Sequence, residues 1–419
     1  MDIKIINGEF ARSTPESQGV PSGSIEECLT KIIETRLNVH SFWVFRNGYL
    51  LAGGCAKPFD KKMPRRVYST MKSVIVLAIH FLVQEGKIKY EDRLIDYFPE
   101  FLPDEMPEHA DELTVRALLM MAVGHERDSL REYHQNKHGI GMVPLTYRDG
   151  EQPDLSDVAG KTMPELFFSM PFEHKPGEVF WYNNSVPEIV GMLVEKVSGQ
   201  DYLTYLQPRL FDPLGIDDMK VNRNVEENGF AWNDGATMTV SIDDLCKFAL
   251  FYLQKGSWEG KQLLKSDLID EATANHVATA EFVNGNHGMC EKDTYGYGYQ
   301  IWMNKFGGYR MVGGSGQETI IIPEENLAIV YTSFDRHTGD PETDVDSIIY
   351  NTIYKSMNND SLPDDPHTFA MLEKCFDSWS KLPLDCKAHS DIEPECAQRW
   401  IEAADNSLGI QSAYFDFDK

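Results

Sequence analysis

The stretch "RRVYSTMKSVIVLAIHFLVQEGKI" runs from Arg65 to Ile88. Two arginines lead into Ser69-Thr-Met-Lys72, and Val74, Leu77, Ala78, Phe81 and Leu82 then recur at helical spacing, with Gly86 placed to end the helix. The spacing predicts a buried helix whose first turn carries a serine and a lysine on one face. A serine hydroxyl is a poor nucleophile until a base takes its proton. A lysine three residues on, partly desolvated at the head of such a helix, can serve as that base or as a proton relay. The backbone N–H groups and the positive end of the helix dipole favour a developing oxyanion at the same point. By itself Ser-x-x-Lys is a weak signal, and an isolated match reads most simply as coincidence or a helix cap. A second copy, Ser378 to Lys381, sits in the tail with no apolar helix behind it.

On either side of this helix the chain divides by type of element. "SFWVFRNGYLLAGGCA" (Ser41–Ala56) reads as two strands around Asn47-Gly48, a pair that tolerates the positive φ angles of a tight hairpin. From about Leu94 to Arg223 the signals are helices and loops, clearest in "TVRALLMMAVG" and in "NSVPEIVGMLVEKVSG", which ends on Gly199. "SIDDLCKFALFYLQKG" is a further helix with Ser241 as its N-cap. Strand signals then cluster in "YGYGYQIWM", "YRMVGG", "ETIIIP" and "LAIVYTSF", and "DVDSIIYNTIYKSM" closes the series as a helix. Strands from the two ends can share one sheet, with the middle inserted. The expected fold is therefore α+β, an α/β sandwich with an antiparallel sheet flanked by helices. Its domain would be 1–358, with sheet regions 1–72 and 235–358 and a mostly helical region 73–234. The polar linker "NNDSLPDDPH" begins an extension, 359–419, that holds three of the seven cysteines.

Charge and composition exclude several classes of function. With 39 basic and 66 acidic residues the net charge is −27, which argues against nucleic acid and anionic membrane surfaces as partners. Hydrophobic residues at 42% and aromatics at 11% fit a globular chain. The seven cysteines are scattered, odd in number and without a CxxC pair, as expected of free thiols in a reducing compartment. The start carries no apolar signal segment, and Val74 to Val83 is too short for a bilayer, which needs ~20 residues. The expected location is cytoplasmic. His134 and His138 are four residues apart, but no third ligand is evident, so neither a metal nor another cofactor is expected.

A second motif gives Ser69 its company. In "KPGEVFWYNNSVPEIVGML" a Pro-Gly pair precedes, by four residues, the single Tyr-x-Asn of the chain, Tyr182-Asn183-Asn184, and an amphipathic helix follows. The order Ser-x-x-Lys, then Pro-Gly-x₄-Tyr-x-Asn, resembles the serine β-lactamase and penicillin-binding-protein superfamily. The likeness is to its class C-like branch of esterases, D-amino-acid peptidases and 6-aminohexanoate-dimer-type oligoamide hydrolases. "LTVRALLMMAVGH", "FDPLGIDDM", "MTVSIDDLCKF", "GSWEGKQLL" and "YGYGYQIW" resemble it in the expected order, over residues 12 to 357. The resemblance implies Ser69 as the acylated nucleophile, Lys72 as its proton relay and Tyr182 as general base. It implies that Asn184 orients a substrate amide or Lys72. A phenol is a credible base only beside a cation, for which Lys72 is the obvious source. The oxyanion would lie between the N–H of Ser69 and a second N–H from the strand of the third motif.

The third motif departs from the family pattern of Lys-Thr-Gly or His-Thr-Gly. His337-Thr338-Gly339 follows the final strand and is read as a decoy. In the collinear "YRMVGGSGQETIII" the place is taken by Met311-Val312-Gly313, or one residue on by Val312-Gly313-Gly314, so the second oxyanion N–H is that of Gly314 or Ser315. The glycines let substrate backbone lie close to the strand. In the family the Lys or His helps hold a substrate carboxylate. With Met311 there, and with Arg310 expected on the opposite side of the strand, the resemblance points to a small neutral ester or amide as substrate. No Ser-Asp-Asn occurs at the second motif. The aromatics of "YGYGYQIWM" read as strand packing, with Tyr295 or Tyr297 as candidates to line the pocket. Two other functions stay open: a non-catalytic binding or sensor protein on the same fold, and a true β-lactamase or D-alanyl-D-alanine carboxypeptidase. The tail is either the opening of a truncated β-rich domain or a segment docked on the core.

Overall fold

The computed structural model describes residues 5–6, 8–129, 132, 160–216, 224–225, 231–232, 239–284, 291–334, 344–380, 393–402 and 411–414. Its main elements are α1 (Ser22–Glu34), β1 (Val39–Arg46), β2 (Tyr49–Cys55), α2 (Lys72–Ile75), α3 (Leu77–Gln84), α4 (Ser185–Ser198) and α5 (Ile242–Leu253), followed by β3 (Trp302–Met303), β4 (Tyr309–Gly313), β5 (Gln317–Ile322), β6 (Leu327–Ser333), α6 (Val345–Ile349) and α7 (Pro366–Trp379).

The hairpin predicted at Asn47-Gly48 joins β1 to β2, with φ of 53° and 80° at its two central residues. Both angles are positive, the turn whose twist matches that of its strands. Strands from the two ends of the chain meet in one sheet of order β3-β4-β5-β6-β1-β2, antiparallel throughout. The junction is β6 on β1, with Leu327 opposite Arg46 and Tyr331 opposite Phe42. Side chains alternate across it: Trp43 and Phe45 enter one core with Val74, Leu77, Ile189, Phe248 and Met311, while Phe42 and Val44 enter the other with Ile25, Ile32, Ile348 and Leu372. The result is the layered antiparallel sheet between helices expected of the sequence, and the first of these two cores supports the site.

Local chemistry sets the ends of the helices. Ser241 caps α5 by accepting from the N–H of Asp244, and Gly199 (φ 73°) ends α4. Other expected elements are cut short for visible reasons. "YGYGYQIWM" yields only the two residues of β3, because Gly296 (φ 115°) and Gln300 (φ 58°) take left-handed conformations that interrupt an extended run. The helix of "TVRALLMMAVG" stops at Leu119, two residues before Met121 turns to φ 54°.

The chain separates into two compact units, Met1–Ser380 and Lys381–Lys419. The first continues past the expected boundary at 358, because α7 lays Phe369, Leu372, Phe376 and Trp379 into the core formed by α1 and the sheet. In the second, Trp400–Glu402 pairs antiparallel with Ser412–Tyr414. Among the described residues no helix is long and apolar enough to cross a membrane. His134, His138 and the His337-Thr338-Gly339 segment lie outside the described residues.

Candidate active site

The opening stretch folds as a single helical turn, Tyr68–Met71, running directly into α2 and α3. Tyr68 adopts φ 49°, a conformation that costs a bulky residue energy, so the turn carrying Ser69 is held by its surroundings and not by local preference. One such surrounding is the end of β4. A methyl group on Gly313 would lie 2.1 Å from the carbonyl oxygen of Val67 and 2.5 Å from Thr70 Oγ1. Thr70 Oγ1 also donates to the carbonyl of Gln317, the residue paired with Gly313 across β4 and β5. The strand is thereby pressed against the serine turn, and only glycine permits the approach.

Lys72 is 4% exposed. Its Nζ lies 2.7 Å from Ser69 Oγ and 3.1 Å from Asn184 Oδ1. Asn184 stands at the head of α4, so the two sequence motifs meet through the lysine. The ammonium also faces the ring of Tyr182 at 5.1 Å, a cation–π geometry. The same ring stacks on Trp302 at 5.9 Å and 18°. Among the described residues the Tyr182 hydroxyl has no hydrogen-bond partner. Phe180 and Tyr297 both pack edge-on against Trp302, and burial, then the neighbouring Tyr182, pushes the Tyr297 phenol well up from its ordinary range. Ser69, Lys72, Tyr182 and Asn184, far apart in the chain, are therefore gathered at one point. A partly exposed hydroxyl there faces a buried amine, with a phenol beside them and aromatic walls behind.

The glycine-rich turn after β4 consists of Gly314, Ser315 (φ 62°) and Gly316 (φ 77°). Gly314 lies beside Tyr68, whose Cγ is 3.6 Å from where its own Cβ would stand. Ser333 Oγ donates to the carbonyls of Ser315 and Gly316, which ties the turn to the end of β6.

No cation of the third motif reaches this place. Met311 shares the Gly313 side of β4 and is fully buried in the apolar core. Arg310 points to the other side, as strand alternation predicts, and is 1% exposed. Its guanidinium pairs with Asp293 at 2.5 Å and Glu318 at 3.4 Å, beside Lys292 and Asp346. Two cations there face three carboxylates. Burial, then the Asp346 charge, pushes the Glu318 carboxyl up to about 7, while the Lys292 and Arg310 cations hold Asp346 well below the usual carboxylate range.

Two contacts escape sequence reasoning. Trp302, read only as strand packing, is the platform under Tyr182. Asp128 carried no motif at all, yet its Oδ2 accepts from both Asn184 N (3.0 Å) and Asn184 Nδ2 (2.9 Å), and its Oδ1 accepts from Ser185 Oγ at 3.1 Å. It lies 56 residues before Asn184, a separation at which spacing carries no signal.

Known proteins resemble this chain in sequence and in fold. A family model described as Beta-lactamase matches residues 30–349. A candidate D-alanyl-D-alanine carboxypeptidase of Escherichia coli (strain K12) is 26% identical over 183 residues, which cover 40% of this chain and 39% of that protein. The match thus spans about two fifths of that relative's length. Among solved structures, a candidate 6-aminohexanoate-dimer hydrolase from Bacillus anthracis superposes with a TM-score of 0.59 at 21% identity, covering 80% of this chain and 83% of that one. A D-stereospecific amidohydrolase from Streptomyces sp. gives 0.55 at 16% identity, covering 79% and 98%. These similarities establish the β-lactamase and transpeptidase-like fold. With most of its length matched by the family model, and with Ser-x-x-Lys and Tyr-x-Asn brought together in space, the chain belongs to the beta-lactamase family.

Proposed function

We propose that this protein is a serine hydrolase that cleaves a small neutral ester or amide through an acyl-enzyme on Ser69. The observation that carries this reading is the 2.7 Å contact between Lys72 Nζ and Ser69 Oγ at the head of a buried helix. A serine hydroxyl needs a group within hydrogen-bond reach that can pass its proton on, and this contact places Lys72 there as the relay. Ser69 Oγ attacks the substrate carbonyl, and its proton passes to the Lys72–Tyr182 pair. The tetrahedral oxyanion lies between the N–H of Ser69 and that of Gly314 or Ser315, at the end of the strand pressed on the serine turn. Collapse expels the alcohol or amine, protonated from the same pair. Water, deprotonated by Tyr182, then attacks the acyl-enzyme; the bond from Ser69 Oγ to the acyl carbon breaks, the acid leaves, and the proton returns to Ser69 Oγ through Lys72. Asn184 holds Lys72 or an amide of the substrate throughout.

The preference for a neutral substrate follows from the third motif. Met311 is sealed in the core and Arg310 is committed to carboxylates across the sheet, so neither offers a cation to a substrate carboxylate. The Escherichia coli relative favours a second reading, carboxypeptidase or β-lactamase action, which needs such a cation. Turnover of p-nitrophenyl acetate, p-nitrophenyl butyrate and nitrocefin by wild type, Ser69→Ala and Lys72→Ala separates the readings. Ester turnover lost in both variants, with nitrocefin left intact, is expected. Brisk nitrocefin hydrolysis would favour the second reading. A wild type inert to all three would instead leave the fold with a binding or sensing role.

A further inference from the structure

We propose that Asp128 is a positioning residue of this site: it fixes which end of the Asn184 amide faces Lys72, and through it the geometry of the Lys72–Ser69 pair. The inference rests on the hydrolase reading above.

Asp128 is 8% exposed, and Oδ2 takes two donors from one residue, the backbone N–H and the side-chain Nδ2 of Asn184. An ionised carboxylate only accepts hydrogen bonds. Its partners must donate, so the Asn184 amide turns its nitrogen to Asp128 and its oxygen to Lys72. That oxygen is the atom found 3.1 Å from Lys72 Nζ. An asparagine amide has no such preference of its own, since its two ends are nearly equal in shape. The carboxylate is itself anchored from the other side. Ser185 Oγ donates to Oδ1, Ser129 Oγ donates to Ser185 Oγ at 2.6 Å, and Asn183 Nδ2 donates to the carbonyl of Arg127 at 2.9 Å. The 127–129 segment is thus stitched to the Tyr182–Ser185 segment along its length, and Asp128 is the charged stitch behind Asn184. Charge-assisted hydrogen bonds of this kind are shorter and stronger than neutral ones.

Replacing Asp128 by Asn keeps size and polarity but exchanges one acceptor for a donor. The new amide can offer its NH₂ to Asn184 and turn the Asn184 nitrogen toward the Lys72 ammonium, donor against donor. The test is a cycle of wild type, Asp128→Asn, Asn184→Ala and the double variant. It is read as kcat/KM on p-nitrophenyl butyrate and as the rate of labelling by an alkyl fluorophosphonate, both of which report attack by Ser69. The expected loss for Asp128→Asn is about ten- to a hundredfold in both. The double variant should be no slower than Asn184→Ala alone, because Asp128 acts on Lys72 through Asn184. A loss under twofold, or losses that multiply, would overturn the proposal, since a merely structural role would harm both backgrounds alike. If Asp128→Asn melts below the assay temperature, Asp128→Glu, which keeps the charge but moves its oxygens by a methylene, must meet the same criterion. A wild type that neither labels nor turns over removes the hydrolase reading and this proposal together. A wild type that labels at Ser69 while the cycle multiplies removes this proposal alone.

Discussion

Gly313→Ala probes the contact between strand and serine turn most sharply. The added methyl would stand 2.1 Å from the Val67 carbonyl oxygen, a backbone atom that cannot rotate away. Reaching an ordinary contact of 3.4 Å requires β4 and the Ser69 turn to part by about 1.3 Å. Overpacking of this kind costs about 1–3 kcal/mol of stability. Activity should suffer more than stability, because a displacement of about 1 Å in a reacting constellation costs on the order of a hundredfold. The neighbouring Gly314→Ala is the internal control. Its methyl would lie no closer than 3.6 Å to Tyr68, and its backbone N–H is retained. Thermal melts and kcat/KM on p-nitrophenyl butyrate measure both effects. Gly313→Ala should melt a few degrees lower and lose about two orders of magnitude in rate, while Gly314→Ala stays within a few-fold of wild type. Equal, near wild-type behaviour of the two variants would show that close approach is not what demands glycine at 313.

Tyr182→Phe keeps the ring between Lys72 and Trp302 and removes only the hydroxyl, so the melt should not move while kcat/KM falls about 10²- to 10⁴-fold, as for loss of a general base. Lys72→Met should lower the fluorophosphonate labelling rate by a comparable factor, read by intact mass against time. In the buried cluster across the sheet, Arg310→Met leaves three carboxylates facing one lysine and should cost about 3–5 kcal/mol by chemical denaturation. Burial, then the Asp346 charge, raises the Glu318 carboxyl from 4.5 to about 7, so the folded state binds its proton more tightly. The stability this group contributes is complete below 4.5 and is lost as pH rises through about 7. Glu318→Gln, a mimic of the protonated form, should therefore gain on wild type in melting temperature between pH 5 and pH 8, and a constant difference across that range would refute the assignment.

The fold was legible where local chemistry and tertiary need coincide. Asn47-Gly48 makes its turn by itself, and the alternation in "LAIVYTSF" and "SFWVFR" serves two cores, so two distant segments announced one sheet. Ser69 and Lys72 were legible because a single helical turn fixes their spacing, and Tyr182 with Asn184 because their motif stands at a helix head. What escaped depends on contacts between segments. Asp128 meets Asn184 only once the chain has folded, and the stretch that ends at His125, three residues before it, gives no sign of the meeting. Trp302 belongs to a two-residue strand preceded by left-handed Gly296 and Gln300, and it meets Tyr182 only in the folded chain. The third motif stayed ambiguous by one residue because either register offers glycines. Of the two glycines, Gly313 is the one pressed against the serine turn.

The central claim is a covalent acyl-enzyme on Ser69. Rapid acid quench of the protein during turnover of p-nitrophenyl butyrate, followed by intact mass and peptide mapping, tests it most directly. The account predicts a butyryl adduct confined to the peptide that contains Ser69 and absent from Ser69→Ala. An adduct on another residue, or steady turnover by Ser69→Ala at the wild-type rate, would contradict it.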